Sequence, residues 1–203
     1  MRFLHIAVPG LVAFAACTSG NEPRRVAPGE PAATVAPPSD APVPARLSGP
    51  LVFTAQPGWI EEKPANPMRV AQYKLPRVES DPEDAVLVVF YFGGEGGSRE
   101  LNLERWAGQF EQPGGAPSME VMRRSQRNVN GMAVTDVDLT GTFVAETMPG
   151  SGERVNKPGW RMLASIVEGP RGPYYPKLTG PERTVAKWEA SYRAFVSDAK
   201  PGP

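Results

Sequence analysis

Arg69 and Arg105 stand beside aromatic residues that suit them for holding a ligand. A guanidinium next to Trp59, Tyr91 or Trp106 can grip a carboxylate or stack on a planar group. Tyr174 and Tyr175, followed by Lys177, offer a second recognition edge. The candidate binding residues are therefore Arg69, Arg105, Trp59 and Tyr174, although the same pattern also arises from core rings with arginines at their rim. Asp136 and Asp138 share one face of an extended segment, where paired carboxylates can do acid–base work or simply face water. Glu79, Asp81, Glu83 and Asp84 crowd one loop but lack the glycine and closing glutamate of a calcium-binding loop, which leaves a solvated acidic turn.

The remaining chemistry is bounded by scarcity. The chain of 203 residues has one histidine, His5, and one cysteine, Cys17. Past Cys17 there can be no disulfide, no His or Cys metal site, no Ser-His-Asp triad and no Cys-His pair. No catalytic residue, metal site or cofactor is expected. An enzyme on this chain would run on carboxylates, Lys or Tyr, and a metal would have to be a hard cation held by oxygens. Lysine plus arginine equal aspartate plus glutamate, 22 each, and the two signs are interspersed, so no basic footprint for nucleic acid is present.

Cys17 has its own chemistry. A basic start (Arg2), an apolar run from Phe3 to Phe14 and the small residues Ala15-Ala16 form a secretory signal. Ala15-Ala16-Cys17 resembles the lipobox of bacterial lipoproteins, from which Phe14 departs because that position is usually leucine. The resemblance implies a signal peptide over 1–16, a lipidated Cys17 and anchoring of the chain to a membrane of the cell envelope. Thr18 resembles the residue of lipoproteins sent to the outer membrane. The competing reading is a cut after Ala13-Phe14-Ala15 and a secreted or periplasmic protein. The run is too short, and too interrupted at Pro9-Gly10, for a transmembrane anchor.

Residues 17–50 carry eight prolines and almost no large apolar side chains, and are expected to form a tether. Residues 51–199 are expected to form one domain. Within it, Met68 to Tyr73 alternates as a strand, and Ala85 to Phe92 is apolar on both faces, which predicts a central strand. Gly93-Gly94-Glu95-Gly96-Gly97 makes a sharp turn without the Lys-Ser/Thr pair of a phosphate loop. Ser98 caps a helix whose face is set by Leu101, Leu103, Trp106, Ala107 and Phe110, and Pro113-Gly114-Gly115 stops it.

Met119–Asn128 and Met132–Phe143 read as a hairpin around Asn130-Gly131. Thr147 to Gly159 is a polar loop, Trp160–Val167 and Tyr174–Leu178 are strands, and Gly180-Pro181 opens a last helix with the stripe Val185, Trp188, Tyr192 and Phe195. The order implies an α+β fold, a mostly antiparallel sheet with helices packed on it.

The segments Met68-Arg69-Val70-Ala71-Gln72-Tyr73, Phe90-Tyr91-Phe92-Gly93, Asn102-Leu103-Glu104-Arg105-Trp106 and Lys177-Leu178-Thr179-Gly180-Pro181 together resemble a group of uncharacterised bacterial lipoproteins and exported proteins. More distantly, the element order resembles the PsbP-like fold, an α-β-α sandwich. That resemblance implies a binding or accessory role more than catalysis, with an envelope protein or a small ligand as partner. A sensor or assembly factor whose loop Thr147 to Gly159 orders on binding is a further possibility.

Overall fold

Long antiparallel hairpins build the protein, which we describe from a computed structural model over residues 49–147 and 150–203. The signal segment, Cys17 and almost all of the tether lie outside the described residues. The strands are β1 (Leu51–Val52), β2 (Ile60–Glu61), β3 (Arg69–Leu75), β4 (Ala85–Tyr91), β5 (Phe110–Glu111), β6 (Arg123–Val129), β7 (Met132–Phe143), β8 (Lys157–Gly169), β9 (Gly172–Pro181) and β10 (Lys200–Pro201). The helices are α1 (Arg99–Ala107), α2 (Ser118–Val121) and α3 (Glu182–Ser197).

Eight strands make one antiparallel sheet in the order β2-β3-β4-β9-β8-β7, and β6 and β5 share the outer edge of β7. Strands β1 and β10 pair separately. This is the α+β, mostly antiparallel architecture expected from the element order. The chain continues past Ala199 into β10, and Gly202 N–H donates to the Pro50 carbonyl at 2.9 Å, so both ends of the domain meet at one corner.

Side-chain alternation along the strands divides the interior into two cores. One face of the sheet packs under α3, with Leu75, Leu87, Val89, Leu163, Val167 and Leu178 meeting Val185, Tyr192 and Phe195. The other packs under α1, with Val137, Leu139, Met162, Ala164, Ile166 and Tyr175 meeting Leu103, Trp106 and Ala107. Each large aliphatic side chain so enclosed contributes about 1.5–3 kcal/mol.

Strand β8 is the one covered on both faces, since every residue from Trp160 to Val167 is buried. The expectation gave that place to β4. There Leu87 and Val89 are fully enclosed, but Val86 on the opposite face is 36 % exposed, because α1 does not reach it.

The turns follow from particular residues. Asn130 (φ 50°) and Gly131 (φ 83°) form the tight β6–β7 hairpin, a backbone path with positive φ at both central positions. The Asn130 side-chain amide donates to the Ala199 carbonyl at 2.9 Å, tying the turn to the end of α3.

Ser98 caps α1 as expected, its hydroxyl accepting from Leu101 N–H at 3.2 Å. Three local expectations are corrected. The helix ends at Ala107 with Gly108 as its cap, so Phe110 reaches the same core from β5. Leu101 is 60 % exposed and does not set the buried face. The segment at Met119 starts as the short α2 before β6 begins at Arg123.

Asp81 is also corrected, for it is not a solvated loop residue. It is buried, and its Oδ2 accepts from Thr184 N–H (2.8 Å) and from the Thr184 hydroxyl (2.6 Å). Pro181 offers no side-chain cap to α3, and Asp81 fills that role from a distant loop, with its charge at the positive end of the helix.

Phe195→Ala should lower unfolding free energy by about 3–5 kcal/mol, and Asp81→Ala by about 0.5–2 kcal/mol, measured by urea denaturation. Val86→Thr, on the uncovered face, should change it by less than about 0.5 kcal/mol.

Candidate functional site

Charged side chains gather in two places, on opposite faces of the sheet, and only one set is neutralised. The first lies where β6, β7 and β8 meet α3. Arg161, buried in β8, makes two parallel bonds to Asp138, Nε to Oδ1 and Nη2 to Oδ2, both at 2.8 Å. It also contacts Glu189 at 2.7 Å. Arg123 adds a contact to Asp138 at 2.6 Å, and Arg193 holds Glu189 at 2.7 Å.

Beside this network, Ser165 donates its hydroxyl proton to Asp136 Oδ1 (2.6 Å), and Arg127 Nε donates to Asp136 Oδ2 (2.6 Å). With the Ser165 proton committed, the Tyr192 hydroxyl has one proton to share between Ser165 Oγ (2.9 Å) and the Pro176 carbonyl (3.1 Å). A shallow groove of about 450 Å³ opens over these residues.

Asp136 and Asp138 are thus not an exposed carboxylate pair, and each is held by an arginine. Burial alone would raise the Asp138 pKa, but the hydrogen bonds and charge of Arg161, with Arg123, bring it below the usual carboxylate value. Asp138, and then Glu189, push Arg161 upward against the opposing effect of burial. Burial, followed by the nearby charge of Asp136, drives Tyr192 far above the ordinary tyrosine range although Ser165 opposes it. Such groups stay in one protonation state across physiological pH, so they brace the fold and have no proton to exchange.

The second place is a small cleft between α1 and the opposite face of the sheet. Phe90 and Phe92 from β4 and its exit, Tyr175 and Lys177 from β9, and Arg105, Trp106 and Gln109 from α1 and its exit enclose about 110 Å³. A buried water needs on the order of 10–15 Å³ of such space, so the cleft admits a molecule of several heavy atoms and no nucleotide. Arg69 from β3 lies over the Phe90 ring, 5.6 Å from its centre. Its Nη1 donates to Gln72 Oε1 at 2.9 Å, while its buried Nε has no partner among the described residues.

Lys177 is only partly exposed, and its Nζ donates to Gln109 Oε1 at 3.0 Å. Among the described residues, no carboxylate lies within 4 Å of the charged nitrogens of Arg69, Arg105 or Lys177. Burial, and then the charges of Arg105 and Arg69, lower the Lys177 pKa from 10.5 to about 8.

The Gly93–Gly97 loop belongs to this cleft as a support. A side-chain carbon on Gly96 would overlap the Tyr175 hydroxyl. The loop can therefore close over Tyr175 only with glycine there. Asn102, fully buried, fixes the loop by donating to the carbonyls of Gly96 (2.9 Å) and Ser98 (2.8 Å), and its Oδ1 accepts from Arg105. The glycines thus position Tyr175 and Arg105 without cradling a phosphate.

The structure brings Arg69, Arg105 and Trp106 to one face of the sheet and sends Trp59, Tyr91 and Tyr174 to the other. Tyr174 is core: it stacks on Tyr91 at 4.4 Å, and its hydroxyl accepts from Leu51 N–H at 3.2 Å. Trp59 packs on Phe195 and Tyr73 with ring centres 5.1 and 5.5 Å away, and its indole N–H reaches Ser191. These two are corrected to structural positions on the α3 side. Gln109 and Lys177 complete the cleft but are not among the candidate binding residues read from the sequence; the period-2 alternation from Tyr175 to Lys177 is the signal that links the ring and the amine. Among the described residues, no three Asp, Glu, His or Cys cluster as metal ligands, and no helix is long and apolar enough to cross a membrane.

The sequence matches no protein-family profile and no curated protein. Two solved structures are similar in chain path. One is a protein of unknown function from Pseudomonas aeruginosa, 14 % identical, covering 76 % of this chain and 99 % of that one with a TM-score of 0.44. The other is cyanobacterial PsbP (CyanoP) from Synechocystis, 11 % identical, covering 75 % of this chain and 86 % of that one with a TM-score of 0.46.

The arginine-held carboxylates fix how the fold responds to acid. With Asp138 and Glu189 both depressed, their contribution is complete above the unfolded values, 3.8 and 4.5, and is lost as pH falls through the lower folded values. Unfolding free energy measured by urea titration should therefore drop below about pH 4. Arg161→Met should cost about 3 kcal/mol at neutral pH and flatten that acid limb.

Proposed function

We propose that this protein is a lipid-anchored component of the bacterial cell envelope whose domain binds a small anionic ligand and does not depend on catalysis. The observation that carries the binding half is the cleft over Lys177, where three cations converge on apolar walls with no ion-paired acid among the described residues. Burying charge in this way is costly unless an opposite charge arrives, and the molecule that arrives recovers that cost as binding energy. A carboxylate or phosphate oxygen fits the donors of Arg69, Arg105 and Lys177, and a short apolar body fits against Phe90 and Trp106.

The groove over Arg161 is a weaker candidate, because its cations are already paired. The anchoring half rests on Cys17 and the residues before it, with a proline-rich stretch between Cys17 and the domain. A diacylglyceryl group on that cysteine gives attachment that a single acyl chain does not. The lipoprotein affiliation, and the outer membrane as its place, belong to the same reading.

Binding should follow the charge on Lys177. Facing its amine are Arg105 from α1, Arg69 from β3 and the Tyr175 phenol on its own strand. Titrating acetate or phosphate into the full-length protein in detergent by calorimetry should show affinity that falls as pH rises through about 8, where the amine loses its proton. Lys177→Met and Arg105→Ala should each weaken binding about tenfold, some 1.4 kcal/mol, and Lys177→Met should remove the pH dependence. Unchanged affinity in both variants would refute the site.

For the anchor, cells given labelled palmitate should label the wild-type chain and not Cys17→Ala. Equal labelling would end the lipoprotein reading.

A further inference from the structure

We propose that Lys177 is a covalent capture residue, forming an imine with a small carbonyl compound that carries a carboxylate, such as a 2-oxo acid. The proposal rests on the anion-binding reading of the same cleft and goes one step beyond it.

The geometry assigns two tasks to different cations. Arg105 and Arg69 offer planar guanidinium forks whose donors match a carboxylate. Lys177 has Gln109 Oε1 as its neutral hydrogen-bond partner, and no acid within ion-pairing distance among the described residues holds its proton in place. An amine flanked by guanidiniums and apolar rings is the arrangement in which lysine serves as a nucleophile. Its neutral form is accessible near pH 8.

The confined cleft favours a ligand whose carbonyl is directly attached to the anionic group. Seating the carboxylate on Arg105 then keeps the carbonyl carbon within the same small cleft that Lys177 lines. The step balances without a co-reactant. The amine nitrogen attacks the carbonyl carbon, and both amine protons leave with the carbonyl oxygen as one water. The product is a C=N bond to Lys177, neutral as the imine and cationic if it retains a further proton. Nothing is oxidised or reduced.

The reaction can be trapped with glyoxylate and sodium cyanoborohydride on full-length protein in detergent near neutral pH, followed by intact mass and peptide mapping. Lys177 should take up one carboxymethyl group at least tenfold faster than Lys63, Lys74, Lys157, Lys187 or Lys200. Acetaldehyde, which lacks the carboxylate, should show no such preference. The preference should fall about tenfold in an Arg69→Ala, Arg105→Ala double variant that keeps the wild-type circular dichroism spectrum.

Labelling spread evenly over the six lysines overturns the proposal. So does equal labelling of Lys177 by acetaldehyde. If acetate or phosphate binds in calorimetry while Lys177 is not preferred, covalent capture is wrong and anion binding stands; if neither binds and no preference appears, both fall.

Discussion

Strand β8 has no face in water, and most of the architecture is a response to that. A strand enclosed on both sides must be flanked by long partners and roofed twice. Strands β7 and β9 run antiparallel to it through most of their length, α3 closes one side and α1 the other. The short antiparallel β1–β10 pair and the edge strands add little burial by comparison. The two roofs differ in extent, for α3 has 16 residues and α1 has nine. Under the shorter roof the sheet is incompletely covered, and the cleft over Lys177 lies at its margin.

The two faces also treat charge differently. On the α3 side, the low dielectric demands a partner for each buried ion, and Arg161, Asp138, Glu189, Asp136 and Arg127 supply one another. That closed set ties four elements together and has no free valence for a ligand. On the α1 side, Arg69, Arg105 and Lys177 have no carboxylate within ion-pairing distance among the described residues, and neutral amides from Gln72, Asn102 and Gln109 satisfy part of their hydrogen bonding.

The fold class was legible because its signals are local. Asn130-Gly131 needs no tertiary context to make a tight hairpin, and the stripe Val185, Tyr192, Phe195 marks the buried side of α3 wherever the helix lies. What could not be read was which strand is enclosed on both faces. Strand β4 is the more apolar sequence, whereas β8 carries Arg161 and Ser165 and hides them by pairing, which only the neighbouring strand and α3 reveal.

The same limit governs the candidate site. Composition put Arg69, Arg105, Trp59 and Tyr174 in one set. Strand parity and the bulge between Arg69 and Ala71 decide which face each takes, and they separate the arginines from Trp59 and Tyr174. Asp81 looked like one of four acidic loop residues because its partner, Thr184, is far along the chain.

The outer strands of the sheet have a consequence for the company this molecule keeps. At one margin β2 is two residues long, with Pro57, Pro64 and Pro67 in the chain around it; at the other, β6 presents Arg123, Arg124 and Arg127 within seven residues. A second copy approaching edge to edge meets too short a ladder on one side and, on the other, long charged side chains, of which Arg123 and Arg127 are held by Asp138 and Asp136 and Arg124 is exposed. Copies of this domain can then collide often without adding strands to one another.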